Sequence, residues 1–575
     1  MVRYSGRRFA FLASVALAAL PVVYPAQVQA LDADRGVTQQ MNTIKDQIKS
    51  LQDQLRAMQR TLSARDSQVR AAQRDAARAR EEAERIQPAP VAIPSQPPPA
   101  PGLPGLLGQP NNPALPYAQP QNAGAQNAAA VQGPTQKGTF QVGGVTITLG
   151  GFIEAASIFR SRNEVADITS NLGTGVPLRN QQTYHEAEFR ESARQSRLAM
   201  LIQGNVDPHQ TLAAYFETDF ISAGTTSNSN ESNSYTLRLR HAFATYDNTN
   251  WGFHFLGGQS WSLLTMDKVG IIPRQEAIPY TIEAQYVSGF EWARQAQLRF
   301  VKDFGKKVWL GVSFESPQSI YYTSPNALPT SIGTVNTTNA GGSGLNSTNQ
   351  YSDDIAPDTI VKLALDPGWG HYEVYGLLKW IHDRVSVVGD GRNNTVAAGG
   401  GGVGMRLPLL PNDRLYFRAS ALAGYGIGRY GSSQLPDAVL RPDGRPQPLP
   451  EVEALFGLES TILHKSVDLY AYVGTEQLGR EAYVAGGKAY GYGNRLYVNS
   501  GCGVELSPST CTGNTSGVWD GTLGFWWRPL VGPFGTAQVG AEYEYLRRNI
   551  FSGVGGSKGG DDNIVLLSFR YLPFQ

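Results

Sequence analysis

The chain has 575 residues, with 49 Lys and Arg against 48 Asp and Glu, and a formal net charge of +1. That balance supplies no bulk attraction for nucleic acid, so any basic character has to be local. Charged residues are only 17% of the chain, beside 63 glycines, 26 tyrosines and 22 phenylalanines, a mix that favours strands and turns over a soluble helical architecture.

The N-terminus speaks for export. Arg3, Arg7 and Arg8 precede the apolar run Phe9–Leu20, and Val28 and Ala30 put small residues where signal peptidase needs them, so residues 1–30 are expected to be a cleaved signal peptide. The run is short for a membrane anchor and Pro21 breaks it; no other stretch offers about 18 consecutive apolar residues. The mature chain is then either exported and soluble or crosses a membrane as a closed barrel. Residues 31–86 follow a heptad seam: Val37, Met41, Ile44, Ile48, Leu51, Leu55, Met58 and Leu62 alternate steps of four and three, and the register continues, thinning to alanine, to Ile86. This predicts a periplasmic α-helical coiled coil about 75 Å long, at ~1.5 Å per residue, whose mixed seam permits a trimer. Residues 87–137, rich in Pro, Ala, Gln, Asn and Gly, bury too little to fold and are expected to be a spacer.

From Gly138 the hydrophobic period changes from 3.5 to 2, and sixteen alternating segments predict an all-β transmembrane barrel over residues 138–575. They are Val145–Phe159, Gln195–Val206, Thr211–Phe220, Tyr235–Tyr246, Trp251–Trp261, Phe290–Val301, Val308–Glu315, Thr359–Leu365, His371–Val387, Val396–Leu407, Arg414–Tyr425, Val452–Leu463, Val467–Glu476, Trp519–Arg528, Thr536–Leu546 and Ile564–Phe574. Short connectors such as Asp207-Pro208-His209 and Asp247–Asn250 alternate with longer polar or glycine-rich ones. Short turns on one rim and long loops on the other is the arrangement of outer-membrane barrels, and it puts both barrel termini on the periplasmic side. A soluble β-sandwich would bury the second face of each strand, but here that face carries Glu217, Asp219, Glu373, Lys379, Asp468, Glu542 and Glu544, which a water-filled lumen accepts and a dry core does not.

The candidate functional residues are lumen charges. Arg197, Arg238, Arg240 and Arg299 fall on inward positions of strands two, four and six and would attract anions; Glu217 and Asp219 between them are expected to pair with some of these arginines. In strand four the alternation places Arg238, Arg240, Ala242 and Ala244 inward and Leu237, Leu239, Phe243 and Thr245 outward. A second reading of the same charges is that they solvate the lumen and neutralise one another. The segment Met266–Gln285, polar and marked by proline, is too long for a turn and is expected to fold inward as a constriction, bringing Asp267, Lys268, Arg274, Glu276 and Glu283 to face the arginines. Cys502 and Cys511, with eight residues between them, are expected to form a loop disulfide in an oxidising compartment, since no His or acidic partners stand at metal-ligand spacing. Gly399–Gly404 lacks the Lys-Ser/Thr of a phosphate loop, and neither a zinc-protease motif nor a nucleophile elbow occurs. The expectation is a transporter, not an enzyme, with no cofactor and no metal.

Arg194-Gln-Ser-Arg-Leu198, Phe216-Glu-Thr-Asp-Phe220, Leu237-Arg-Leu-Arg-His-Ala242, Gly258-Gln-Ser-Trp-Ser262 and Arg294-Gln-Ala-Gln-Leu-Arg299 resemble, in order and spacing, the DcaP-like outer-membrane porins. The resemblance is most specific from Arg194 to Arg299 and architectural elsewhere. It implies a homotrimeric, sixteen-stranded channel of the Gram-negative outer membrane, preceded by a coiled coil, that passes small anionic solutes, notably dicarboxylates. Carried over, Arg197, Arg238, Arg240 and Arg299 would form the anion-attracting wall and the third loop the constriction. The chain departs from such barrels in ending on Gln575 instead of an aromatic residue, and its third loop carries both signs of charge. The alternative from another class is a structural tether, in which the rod reaches toward peptidoglycan and conductance is incidental.

Overall fold

A computed structural model describes Lys49 and residues 137–575, except 226–234, 341–349 and 411–413. The expected signal peptide, the coiled coil apart from Lys49, and all but the end of the spacer lie outside the described residues.

The sixteen alternating segments all become strands: β1 (Val145–Arg160), β2 (Arg197–Asp207), β3 (Gln210–Asp219), β4 (Arg238–Asn248), β5 (Phe253–Trp261), β6 (Arg294–Phe304), β7 (Val308–Glu315), β8 (Asp358–Leu365), β9 (His371–Val387), β10 (Asp390–Pro408), β11 (Leu415–Tyr425), β12 (Pro450–Ile462), β13 (Val467–Leu478), β14 (Thr515–Gly532), β15 (Gly535–Ile550) and β16 (Gly560–Leu572). Each pairs antiparallel with the next, and β16 closes on β1 with Tyr571 opposite Ile153 and Ile564 opposite Arg160. Closure leaves no unpaired edge, the condition for a sheet to stand in lipid. Period-two alternation then sorts the side chains. Leu298, Phe300, Val374, Leu378, Phe456, Leu567 and Phe569 are exposed on the outer face, while Arg299, Glu373, Lys379, Glu453 and Ser568 are buried on the inner one. Apolar side chains outside and polar ones inside is the reverse of a soluble barrel, and it matches a lipid-facing wall.

Two features depart from the sequence-based expectation. The β9–β10 connection is not a long loop: pairing continues from His371↔Arg406 to Val387↔Asp390, so a two-residue turn, Val388-Gly389, caps a hairpin. Period-two reading missed this because residues 390–395 carry only polar and glycine side chains. Second, β4 is bulged. Glu217 faces His241 and Thr218 faces Leu239, which leaves Arg240 as an extra residue. A single added residue reverses the facing of everything beyond it. Phe243 and Thr245 are therefore buried on the inner side, with Ala244 exposed on the outer side, opposite to the simple alternation.

Candidate functional site in the barrel lumen

The lumen is shaped by loop 262–293, which leaves β5 at Trp261 and crosses to the far wall before returning to β6. It lies inside, as expected, but its character is less polar than the charges of Met266–Gln285 suggested. Leu263, Leu264, Ile271, Ile278, Tyr280, Ile282, Tyr286, Val287 and Phe290 are all buried, in two clusters against the wall. Burial of each such side chain is worth about 1.5–3 kcal/mol, so the loop is held by apolar contact and not by its ions.

Inward carboxylates of the wall fix its backbone. Glu542 accepts from the N–H groups of Ile282 (2.7 Å) and Glu283 (2.9 Å), Asp520 from Ser288 (3.0 Å), and Glu476 from Gly289 (2.8 Å). Near the loop's start, Glu315 accepts from Leu263 (2.8 Å) and Glu373 from Asp267 (2.9 Å). Approach is close enough to require glycine: a Cβ on Gly474 would stand 1.8 Å from the Ser288 carbonyl oxygen, and one on Gly289 (φ +81°) 2.2 Å from that of Ala454. Loop 426–449 also enters the lumen and joins the first, with Trp292 N–H donating to the Tyr430 carbonyl (3.0 Å) and Ser432 Oγ to that of Phe290 (3.1 Å).

On the β2–β6 side stands the arginine sector. Arg238 donates to both oxygens of Asp219, from Nε (2.9 Å) and Nη2 (2.7 Å); Arg240 reaches Glu217 (2.5 Å) and Asp219 (2.9 Å); Arg197 lies 3.7 Å from Glu217. The anticipated pairing of Glu217 and Asp219 with arginines is thus present in detail. Arg299 donates to the Trp261 carbonyl (2.6 Å) and to Gln297 (3.0 Å). A fifth guanidinium, Arg294, was missed as a site residue. It shares outward parity with Ala296 and Leu298, so alternation assigns it to lipid; at the very start of β6 it turns inward and lies 4.5 Å over the Trp261 ring. Five guanidiniums thus share this sector with the wall carboxylates Glu217 and Asp219, and Glu276 of the loop lies within reach of Arg299. Ala199, Gln203, Ala213 and Tyr215 on the same wall, and Arg274 and Gln275 of the loop opposite, stay partly exposed, so solvent reaches the lumen beside this sector.

Of the loop charges expected to face the arginines, Arg274 lies over the Tyr215 ring at 5.6 Å, and Glu276 and, more weakly, Asp267 fall within the electrostatic reach of Arg299. Asp267 turns to the opposite side of its loop, 3.5 Å from Lys362, whose closer partner is Glu373 at 2.8 Å. Glu283 accepts from Ser170 Oγ (2.8 Å) and points away from the sector. Because Lys362 serves Glu373 first, burial pushes the Asp267 carboxyl up to about 8 despite the lysine. Burial also raises Glu283, against the pull of Arg160. Lys268, disfavoured as a cation by burial and then by Arg406, comes down to about 8.

Across the ring from β4–β6, strands β12–β15 carry a second group the sequence reading did not single out as a site: Glu451, Glu453, Glu476, Asp520, Glu542 and Glu544, all buried on the inner face. In a barrel of sixteen strands β4 and β12 are half a turn apart, so the loop runs between a cationic and an acidic wall. The Cys502–Cys511 disulfide is formed, in the loop after β13. Among the described residues, no group of His, Cys, Asp and Glu has metal-binding geometry.

No protein-family model and no curated protein sequence matches the chain. Among solved structures, the outer-membrane channel DcaP of Acinetobacter baumannii superposes with a TM-score of 0.51 at 17% identity, covering 75% of this chain and 99% of that one. OprB of Pseudomonas putida (TM-score 0.40, 10% identity, 74% and 94% covered) and OmpT of Vibrio cholerae (TM-score 0.39, 9% identity, 76% and 99% covered) are more distant. A sixteen-stranded closed barrel with an inward third loop, three quarters of this chain superposing on nearly all of that channel, has the fold of the DcaP-like outer-membrane channels.

Proposed function

We propose that the protein is an outer-membrane porin, a passive channel that favours small anionic solutes such as dicarboxylates over cations. The carrying observation is the arginine sector, five guanidiniums against the wall carboxylates Glu217 and Asp219 and the loop's Glu276, beside the solvent-reached side of the inward loop. Positive side chains in a narrow aqueous path with low-dielectric walls raise the local concentration of anions. Two carboxylates of a dicarboxylate suit a sector in which Arg238 on β4 and Arg294 on β6 are separated by the width of β5. The apolar and carboxylate-clipped loop supports a fixed constriction in preference to a mobile lid. A homotrimer carrying its coiled coils into the periplasm is part of the same proposal, resting on the heptad seam.

The test is single-channel recording of the purified mature chain in planar bilayers under a salt gradient. Discrete steps with an anion-biased reversal potential are expected. Cation bias, or none, would refute the selectivity, and the absence of steps would refute the channel.

A further inference from the structure

The outer wall carries a feature that the channel reading does not use. On β14 the outward row runs from Trp519 near the long-loop rim to Trp527 near the short-turn rim, with Leu523 and Phe525 between, all exposed. On β15 the outward row ends Tyr543, Tyr545, Arg547, and Arg547 lies opposite Trp519. Aromatic residues at the two ends of an apolar row mark the membrane interfaces, so Arg547 stands at headgroup level on the long-loop side.

There Arg547, Arg179 and Lys558 line a pocket of about 250 Å³, completed by Ser557, Gly559, Gly560 and Asp561. The one carboxylate in it is already engaged: Asp561 accepts from Tyr184 Oη (2.8 Å) and lies 4.0 Å from Arg162. Among the described residues, neither Arg179 nor Lys558 has a carboxylate within ion-pair distance. The loops hold these cations in place. Leu178, next to Arg179, is buried against Cys502 of the disulfide, and the Lys558 stem runs across Gly503, where a Cβ would stand 2.4 Å from its Cδ. Gly560 permits the first loop to approach, since a Cβ there would meet the Pro177 carbonyl oxygen at 2.2 Å.

We propose that this pocket binds the phosphate group of an anionic lipid headgroup in the surrounding outer leaflet. Three cations against the single carboxylate of Asp561, at the level of the aromatic girdle, on the lipid-facing side and not in the lumen, complement a phosphate that the membrane itself presents. The site rests on the outer-membrane reading but not on conduction.

The experiment uses the full chain in phosphatidylcholine nanodiscs with diphosphoryl lipid A as probe, bound lipid being counted by native mass spectrometry. The combined variant Arg179→Gln, Arg547→Gln, Lys558→Gln should weaken lipid A binding at least about tenfold, the loss of a single charge-assisted contact or more. Its single-channel conductance should be unchanged, because none of the three lines the lumen; a porin failure and a lipid-site failure are therefore read separately. Equal binding by wild type and variant overturns the proposal. So does complete displacement of lipid A by inorganic phosphate, which would make the pocket a site for the free ion. Should the variant fail to fold, wild type decides: retention should fall steeply with salt and be lost for the dephosphorylated lipid, and indifference to both overturns the site.

Discussion

Replacing Arg238 and Arg240 together by glutamine tests the arginine sector at its densest point. Both are tied to Asp219, and Arg240 also to Glu217, so the double variant leaves Arg197, Arg294 and Arg299 against the same two carboxylates. A unit charge about 10 Å from a passing ion, at an effective dielectric of ~20, contributes about 1.7 kcal/mol unscreened; one Debye length at 0.1 M salt reduces it to about 0.6. Two charges then change the anion's free energy in the constriction by about 1.2 kcal/mol, roughly an eightfold loss of anion permeability. Reversal potentials in a KCl gradient should move toward the cation side, and the shift should shrink at 1 M salt, where screening reaches only about 3 Å. An unchanged reversal potential at low salt, in a variant that still inserts and migrates as a folded barrel, would show that the sector does not set the field.

Three further outcomes follow from the loop's anchoring and its titrating groups. Glu542→Leu removes the acceptor for Ile282 N–H, Glu283 N–H and Tyr470 Oη; with each buried unsatisfied donor costing about 1–3 kcal/mol, the far end of the loop should detach. A larger or noisier single-channel conductance is expected, and wild-type traces would refute the clip. Gly474→Ala should act in the same direction from the wall side, because its Cβ cannot coexist with the Ser288 carbonyl oxygen at 1.8 Å; unaltered conductance would show that the loop does not press on β13. Finally, between pH 6 and pH 9 Asp267 gains a negative charge and Lys268 loses a positive one, both near 8. Both changes make the constriction more negative, so anion preference should fall as pH rises. Asp267→Asn should reduce that slope, and an anion preference that instead grows with pH would contradict the assignment.

The acidic wall on β12–β15 gives the inward carboxylates a double duty that a list of lumen charges does not suggest. Glu476, Asp520 and Glu542 serve as hydrogen-bond acceptors for a loop backbone that otherwise has no ladder to join, and in doing so they place carboxyl groups opposite the arginines. The field of that wall and the position of the loop are therefore coupled: a substitution made to change the one also removes an anchor of the other.

The sequence by itself determined the barrel, because the side-chain period is strictly local. Thr359–Leu365 and Val467–Glu476 disclose their two faces without reference to any neighbour, and the contrast of short and long connectors orients the whole sheet. The pairing of Glu217 and Asp219 with Arg238 and Arg240 was legible for the same reason, since adjacent strands of a hairpin meet in a register that chain order dictates. Other features needed the closed ring. The bulge at Arg240 adds one residue without any change in hydrophobicity, so nothing local announced that Phe243 turns inward. The orientation of Asp267 toward Lys362 and of Glu283 toward Ser170 depends on which wall the loop meets, a contact between residues far apart in the chain. Alternation is a property of two neighbouring residues, whereas what a charge faces across a lumen is a property of the circle, and only tertiary structure supplies the circle.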